Sequence, residues 1–379
     1  MNHSRTPPPD FPSPGQILDL LDRIPRHPLA MTPTPLLPVP ALAGELGLPD
    51  DGLLLKLDAW TGFGLGGNKV RKLEYELAPR RMERVTCLIT SGGPQSNHCR
   101  VTAAAAAHLG LDCILVLNGP LPERPSGNAL LHRILGAEVR TVQERDQRDM
   151  GVSRAAAEVA AKGGLARIIP LGASTPLGAL GYARAALEFL QQVDGGTLVP
   201  GTPFTVVVAS SSGGTLAGLI LGFHLAGRLG PETLDSRGRG MVNLLAVSAD
   251  VSAGGILDTA RTLAQGALEL IRKEASAAPL ASVPDIVLHA LARTIPHFTA
   301  DPAAESGVRA TQAFVGEGYG IPTPEGNAAQ ALFGSRGGVI LDPVYTAKAG
   351  AALVEMAATS RGVGRMVFWH TGGHPAALT

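Results

Sequence analysis

The chain has 379 residues, 45% hydrophobic and 17% charged, which is long enough for two cores and too apolar for a disordered chain. Its 32 basic and 32 acidic side chains cancel, which argues against nucleic-acid binding through a basic surplus, and 4% aromatics leave few platforms for base stacking. No uninterrupted apolar run reaches the roughly eighteen residues of a membrane span, so no membrane association is expected.

The predicted elements begin after a Pro-rich tail over 1–15. A short helix starts near Ile17, Thr32–Leu36 is a Pro-restrained extended approach, and Leu53–Leu57 is an apolar strand. A Gly-rich lead-in then opens a helix at Lys69 that should stop at Pro79. Strands at 85–90, 113–117, 139–142 and 166–170 alternate with helices at 97–109, 128–135, 153–162 and 176–193. After a Gly/Pro break at 195–203 come strands at 204–209 and 242–248, with a helix at 216–229 between them. Helices are expected at 255–275, 283–295, 302–315 and 347–358, and late strands at 338–341 and 366–369. Continuous apolar strands alternating with helices predict an α/β architecture with parallel sheets covered on both faces. The three cysteines form no C-x-x-C pair, and Cys87, Cys99 and Cys113 read as buried thiols of a reducing, cytoplasmic protein.

Several segments carry chemistry. Gly66-Gly67-Asn68-Lys69-Val70-Arg71-Lys72 sets a lysine on the first turn of a helix, where it could form a Schiff base with a carbonyl cofactor such as pyridoxal phosphate, or could belong to a solvated basic face. Two strand–turn–helix junctions, Ser91–His98 and Ser210–Thr215, combine glycines, hydroxyls and helix N-termini, which suits two anions such as a phosphate and a carboxylate. Ser96 or Asn97 could equally be a simple N-cap. Neither junction matches a Walker loop or a dinucleotide fingerprint. Tyr319 and Tyr345 are two of only four tyrosines, each in a Gly- or Pro-framed segment, and could serve a pocket or a core. His370 reads as a structural histidine, and none of the ten histidines has ligand spacing, so no metal is expected.

Together with Ser126–Val139, Gly172–Tyr182, Asp342–Lys348 and His370–Gly373, these segments resemble, in order, the D-cysteine desulfhydrase and aminocyclopropane-carboxylate deaminase family. The resemblance implies a two-domain, three-layer fold of the tryptophan-synthase-β-like (fold type II) pyridoxal-phosphate class. It implies a large cofactor-binding domain from 16–72 and 184–379, a small domain at 73–183, and a homodimer. It further implies Lys69 as Schiff-base lysine and base, with Ser96, Tyr319 and Tyr345 as catalytic partners. Lys72, Ser212, Gly213, Gly214 and Thr215 would hold the phosphate. Asn97, Thr346 and Thr371 would also touch the cofactor, and Ser96, Asn97, His98, Tyr319 and Tyr345 the substrate. Thr346 stands where the deaminase branch has an acid, so the pyridine nitrogen is expected to lack a carboxylate partner. The implied reaction is β-elimination from a small amino acid resembling D-cysteine, releasing sulfide, pyruvate and ammonia. A deaminase, an amino-acid racemase and a non-catalytic cofactor-binding protein are the alternatives. Trp60 and Phe63, where the family differs, are expected to narrow the approach to Lys69.

Overall fold

A computed structural model describes residues 11–120, 123–196, 201–231, 233–235, 237–277, 283–298, 307–359 and 364–379. Its strands are β1 (Leu36–Pro38), β2 (Leu53–Lys56), β3 (Cys87–Gly92), β4 (Asp112–Asn118), β5 (Glu138–Val142), β6 (Ala166–Ile168), β7 (Phe204–Ser210), β8 (Val242–Ser248), β9 (Val308–Thr311) and β10 (Arg365–Trp369). They form a six-stranded sheet in the order β1-β2-β10-β7-β8-β9 and a four-stranded sheet in the order β5-β4-β3-β6. Every pairing is parallel except β1 with β2.

The apolar runs have no polar alternation because both faces of each sheet are covered. In β2, β7 and β10, Leu54, Val206, Val208, Val367 and Trp369 face a core shared with helices α1 (Pro14–Leu21), α7 (Pro176–Asp194), α8 (Gly214–Leu225), α9 (Ala253–Ala277) and α10 (Asp285–Ala292). Their neighbours Leu53, Leu55, Val207 and Phe368 face the opposite core, under α2 (Pro40–Glu45), α11 (Pro324–Gly337) and α12 (Thr346–Thr359). The smaller sheet repeats this arrangement. Leu88 and Leu115 turn toward α4 (Asn97–Leu109), and Ile89 and Val116 toward α6 (Arg148–Ala161). The three-layer α/β class is therefore as expected from sequence. No helix among the described residues is long and apolar enough to cross a membrane.

Several local expectations are corrected. Gly338–Leu341 is not a strand: α11 ends there, with Gly338 left-handed at φ 64° as its C-cap. The expected helix at 302–315 falls partly outside the described residues, and Val308–Thr311 is instead edge strand β9, paired with β8. The Pro-restrained approach continues into edge strand β1, antiparallel to β2. Residues 1–10 of the expected tail lie outside the described residues. By Ser13 the chain is already structured, since its side chain caps α1 and Pro14 is buried.

Helix α3 (Lys69–Glu76), which carries Lys69, lies against α7 at glycine distance. A Cβ added to Gly181 would sit 2.1 Å from the Arg71 carbonyl oxygen, and neither backbone can yield cheaply. Gly181→Ala is expected to destabilise the protein by about 2 kcal/mol, read as a lower denaturant midpoint at unchanged slope.

Candidate active site

The C-terminal ends of both sheets open into one cleft, the usual place for a ligand in parallel α/β structure. Lys69 reaches it because the loop before α3 is docked on β2 and β10. Gly66 (φ +68°) lies where a Cβ would meet the Ala59 carbonyl oxygen at 2.1 Å, and the Asn68 N–H donates to the Thr371 carbonyl at 2.8 Å. Lys69 Nζ donates to Asn68 Oδ1 at 2.9 Å, and Asn68 Nδ2 to Thr215 Oγ1 at 3.0 Å. Burial lowers the Lys69 pKa to about 8; Asp342 opposes the shift and Arg100 adds to it.

One end of the cleft is built for an anion. Helix α8 starts at Gly213, left-handed at φ +75°, with no side chain capping its first turn. Lys72 is 1% exposed. Its Nζ donates to Ser174 Oγ at 3.2 Å, and Ser174 Oγ in turn lies 2.7 Å from Ser212 Oγ. Among the described residues Lys72 has no carboxylate partner. A Cβ on Gly172 would meet Ser212 Oγ at 2.5 Å, so that glycine keeps the turn open. A buried ammonium facing an uncapped helix N-terminus fits the phosphate of pyridoxal phosphate.

The second junction lies across the cleft. Ser96 caps α4, its Oγ accepting from Cys99 N at 3.2 Å, so the N-cap reading applies and the side chain also lines the cleft. Asn97 Oδ1 accepts from Asn128 Nδ2 at 2.8 Å, which leaves the amide NH2 for a ligand. His98 Nε2 lies 2.8 Å from Thr90 Oγ1, and that hydroxyl donates to the Ile169 carbonyl. The ring therefore donates from Nε2, and its buried Nδ1 is without a partner. Burial, then the Lys69 and Lys72 charges, hold His98 neutral. Tyr319 Oη and Tyr345 Oη are 2.5 Å apart. Burial raises both phenols, Tyr345 well above its ordinary value. The Tyr319 loop is held by Lys348 Nζ, which donates to the Val315 and Gly318 carbonyls at 2.8 and 3.0 Å.

Lys69, Lys72, Ser96, Asn97, His98, Ser212, Gly213, Thr215, Tyr319, Tyr345 and Thr371 are thus brought together at one cleft. Two residues named from the sequence are not in its lining. Gly214 lies behind it, against Ser174. Thr346 is fully buried with its Oγ1 on Asp342 Oδ1 at 2.6 Å, because the first turn of α12 directs it inward. Asp342, which was not among the expected site residues, does line the cleft. It lies beside the Thr371–Gly373 turn, where a Cβ on Gly373 would meet Asp342 Oδ1 at 2.4 Å. Its oxygens already accept from the Val344, Tyr345 and Thr346 N–H groups. Sequence reasoning also missed Arg145, in the 3-10 turn Arg145–Gln147, and Arg148, the first residue of α6. Trp60 is 54% exposed and Phe63 packs edge-on to His108, and neither is in the cleft lining. His370 is structural as read: Nδ1 accepts from Gly372 N and Nε2 faces the Ile340 carbonyl at 2.9 Å.

The family model for pyridoxal-phosphate dependent enzymes matches residues 28–372. A D-cysteine desulfhydrase of Klebsiella pneumoniae (strain 342) is 34% identical over 366 residues, 95% of this chain and 97% of that one. Among solved structures, an ACC deaminase homologue superposes with a TM-score of 0.76 at 30% identity, covering 96% of both chains. A pyridoxal 5'-phosphate-dependent aspartate racemase shares the fold at 16% identity and a TM-score of 0.58.

A lysine with pKa about 8 has a much larger free-amine fraction at neutral pH than an ordinary one. The rate at which the cofactor-free protein captures added pyridoxal phosphate, followed by visible absorbance, is expected to rise with pH through a midpoint near 8. A midpoint near ~10.4 would mean an unperturbed amine.

Proposed function

The chain belongs to the family of pyridoxal-phosphate-dependent enzymes, and from that premise we propose that it is a carbon–sulfur lyase catalysing β-elimination from a small amino acid resembling D-cysteine. The observation that carries this reading is one cleft holding a lysine of lowered pKa, a phosphate cradle and a hydrogen-bonded tyrosine pair. When bound, pyridoxal phosphate supplies an aldehyde for the amino group and a ring that accepts electron density from Cα.

The chain's own residues do the rest. Lys72, Ser212, Gly213, Thr215 and the α8 N-terminus hold the phosphate. Ser96 Oγ and Asn97 Nδ2, at the N-terminus of α4, orient the substrate carboxylate. Lys69 Nζ takes the Cα proton, for which a pKa near neutrality suits it. Tyr319 and Tyr345, both kept protonated, donate a proton toward the group leaving Cβ. Hydrosulfide departs with the Cβ–S electron pair, and the released aminoacrylate hydrolyses to pyruvate and ammonium. Thr371, which lines the cleft with Asp342, would contact the cofactor ring. The burial of all three thiols supports a reducing cytoplasm, and the family resemblance supports a homodimer.

Likeness to the ACC deaminase homologue supports a second reading, ring opening of aminocyclopropane carboxylate. The products separate the two: pyruvate with sulfide for the first, 2-oxobutanoate for the second. With the loaded wild type, D-cysteine is expected to yield equal amounts of pyruvate, ammonia and sulfide. Lys69→Ala is expected to lose the visible absorbance and at least ~10³-fold in kcat. Wild-type turnover and spectrum in Lys69→Ala would refute the assignment.

A further inference from the structure

The two cleft tyrosines come from separate segments, and one buried cation joins them. Tyr345 precedes the first turn of α12, and Lys348, three residues on, lies on the same side of that helix. Tyr319 stands in a stretch, 312–323, without helix or strand and with positive φ at Gly316, Gly318 and Gly320, so its own backbone gives it little stiffness. Phe314 seats the start of this stretch in a core, and Thr323 caps α11 at its end. Between them Lys348 Nζ donates to the Val315 carbonyl at 2.8 Å and to the Gly318 carbonyl at 3.0 Å, and it reaches the Ala249 carbonyl, after β8, at 3.5 Å. Three acceptors use the three donors of an ammonium, where a neutral amine has two. The next residue, Asp250, holds Arg145 at 2.8 Å, and that guanidinium lies 5.1 Å from the centre of the Tyr319 ring. Lys348 is fully buried, and among the described residues no carboxylate lies within ion-pair distance of it; Asp250 and Asp342 favour its charge from farther off. Burying an ammonium is far less favourable than burying an apolar side chain of that length, so the charge is explained by the carbonyls it holds.

We propose that Lys348 is the positioning residue for the acid of the reaction: its ammonium clamps the Tyr319 loop to the helix bearing Tyr345 and so keeps the two phenols in hydrogen-bond contact. The inference rests on the lyase reading and deepens it. Lys348 is not in the cleft lining, so it acts through the tyrosines and not on the substrate. With the hydroxyl oxygens 2.5 Å apart, one phenol donates to the other, and the second keeps its own proton for the cleft. A proton given to the departing group is then replaced across one hydrogen bond. That relay holds only while the oxygens stay within about 3 Å. An uncharged side chain at position 348 would leave the carbonyls of Val315 and Gly318 buried without their donor, and the loop would shift to satisfy them. The consequence depends on the leaving group. Hydrosulfide is a much stronger base than chloride and gains from a proton as the Cβ–S bond breaks with its electron pair on sulfur. Chloride leaves β-chloroalanine with the Cβ–Cl pair and needs none. Loosening the clamp therefore slows the first elimination more than the second, while Lys69 and the residues proposed for the phosphate keep their places.

The test has one readout without cofactor and one with it. In the cofactor-free protein, Lys348→Met is expected to raise amide hydrogen exchange about tenfold over 312–321, with α3 unchanged. In the loaded enzyme, pyruvate formation is compared for cysteine and β-chloroalanine, each in the enantiomer that the wild type turns over faster. Lys348→Met is expected to lower the ratio of the cysteine kcat to the chloroalanine kcat about tenfold, with KM changing less. Lys348→Ala is then assayed with propylammonium, which replaces the atoms removed, and with propanol, of the same size without the charge, against wild type in each additive. Only propylammonium is expected to recover the ratio. If Lys348→Met does not fold, Lys348→Gln, which keeps two donors, is read instead, with a fall of about threefold expected. Exchange that is unchanged, or faster over the whole chain alike, overturns the inference. So does an unchanged ratio, because a merely structural role would slow both substrates together, and so does equal recovery by propanol. No keto acid from either substrate removes the lyase reading, and the exchange pattern, read without cofactor, still decides whether Lys348 clamps the loop.

Discussion

The site depends on a group of four charges buried beneath it. Asp58, after β2, accepts from Arg71 Nη2 at 2.8 Å, Arg71 Nε at 3.1 Å, Tyr182 Oη at 2.6 Å, Trp369 Nε1 at 2.9 Å and Thr34 Oγ1 at 2.8 Å. Glu188 on α7 accepts from the same arginine and from Lys56 Nζ at 2.5 Å. Burial would raise the Asp58 pKa, but Arg71 and Lys56 hold it at about 2. Two acids and two bases cancel, and their oxygens are supplied with donors. That is the condition under which a buried ion cluster is tolerable; removing one partner from such a pair costs about 3–5 kcal/mol. The cluster joins β2, α3, α7 and β10. Because Arg71 is two residues from Lys69 and Trp369 two from Thr371, it fixes both walls of the cofactor cleft.

A second set of contacts closes the cleft from the smaller sheet. Arg100 on α4 donates to the Gly64 and Gly66 carbonyls, so the helix presenting Ser96 and Asn97 is tied to the loop presenting Lys69. Arg145 reaches Asp250 after β8, and Ser211 Oγ donates to the same carboxylate at 2.7 Å. Both bridges are made by arginines, whose several donors can hold two sheets in register without a continuous apolar interface. The groups proposed for the substrate thus come from both sheets, while those proposed for the phosphate come mainly from the larger one.

Much of this was legible because it is local. Glycines and hydroxyls between a buried strand and a helix specify an anion-accepting turn wherever the strand sits in its sheet, and Lys69 follows its glycines within one helical turn. The sheets were legible because double-sided burial leaves an unbroken apolar run, as in Cys87–Ile89 and Val206–Ala209. What was not legible depends on direction and tertiary approach. Asp342 lies four residues before Thr346, ahead of the turn that leads into α12. Which of them meets the cleft follows from how α12 is seated, which the spacing does not contain. Arg148 lies in a charged run at 144–149, ahead of the helix expected at 153–162, and nothing in that run marks one arginine for burial. Gly338–Leu341 has the composition of a strand but no neighbour to pair with, since β10 is already flanked by β2 and β7.

The titratable groups on opposite sides of the cleft are displaced in opposite senses by the same burial. Loss of water disfavours the charged form of each. It therefore lowers the ammonium of Lys69 to about 8 and raises the phenols of Tyr319 and Tyr345. The amine then accepts a proton near neutrality, while the phenols retain one to give. Elimination asks for that division, since a proton must leave Cα as charge builds on the group departing from Cβ. A dry cleft thus assigns base and acid before any ligand-specific contact is considered. Arginine follows the same rule with a different result. Its guanidinium does not surrender its proton under these conditions, so burial leaves Arg148 charged. Amine, phenol and guanidinium respond to one desolvated cleft according to their intrinsic acidities, giving it a base, an acid and a fixed positive charge.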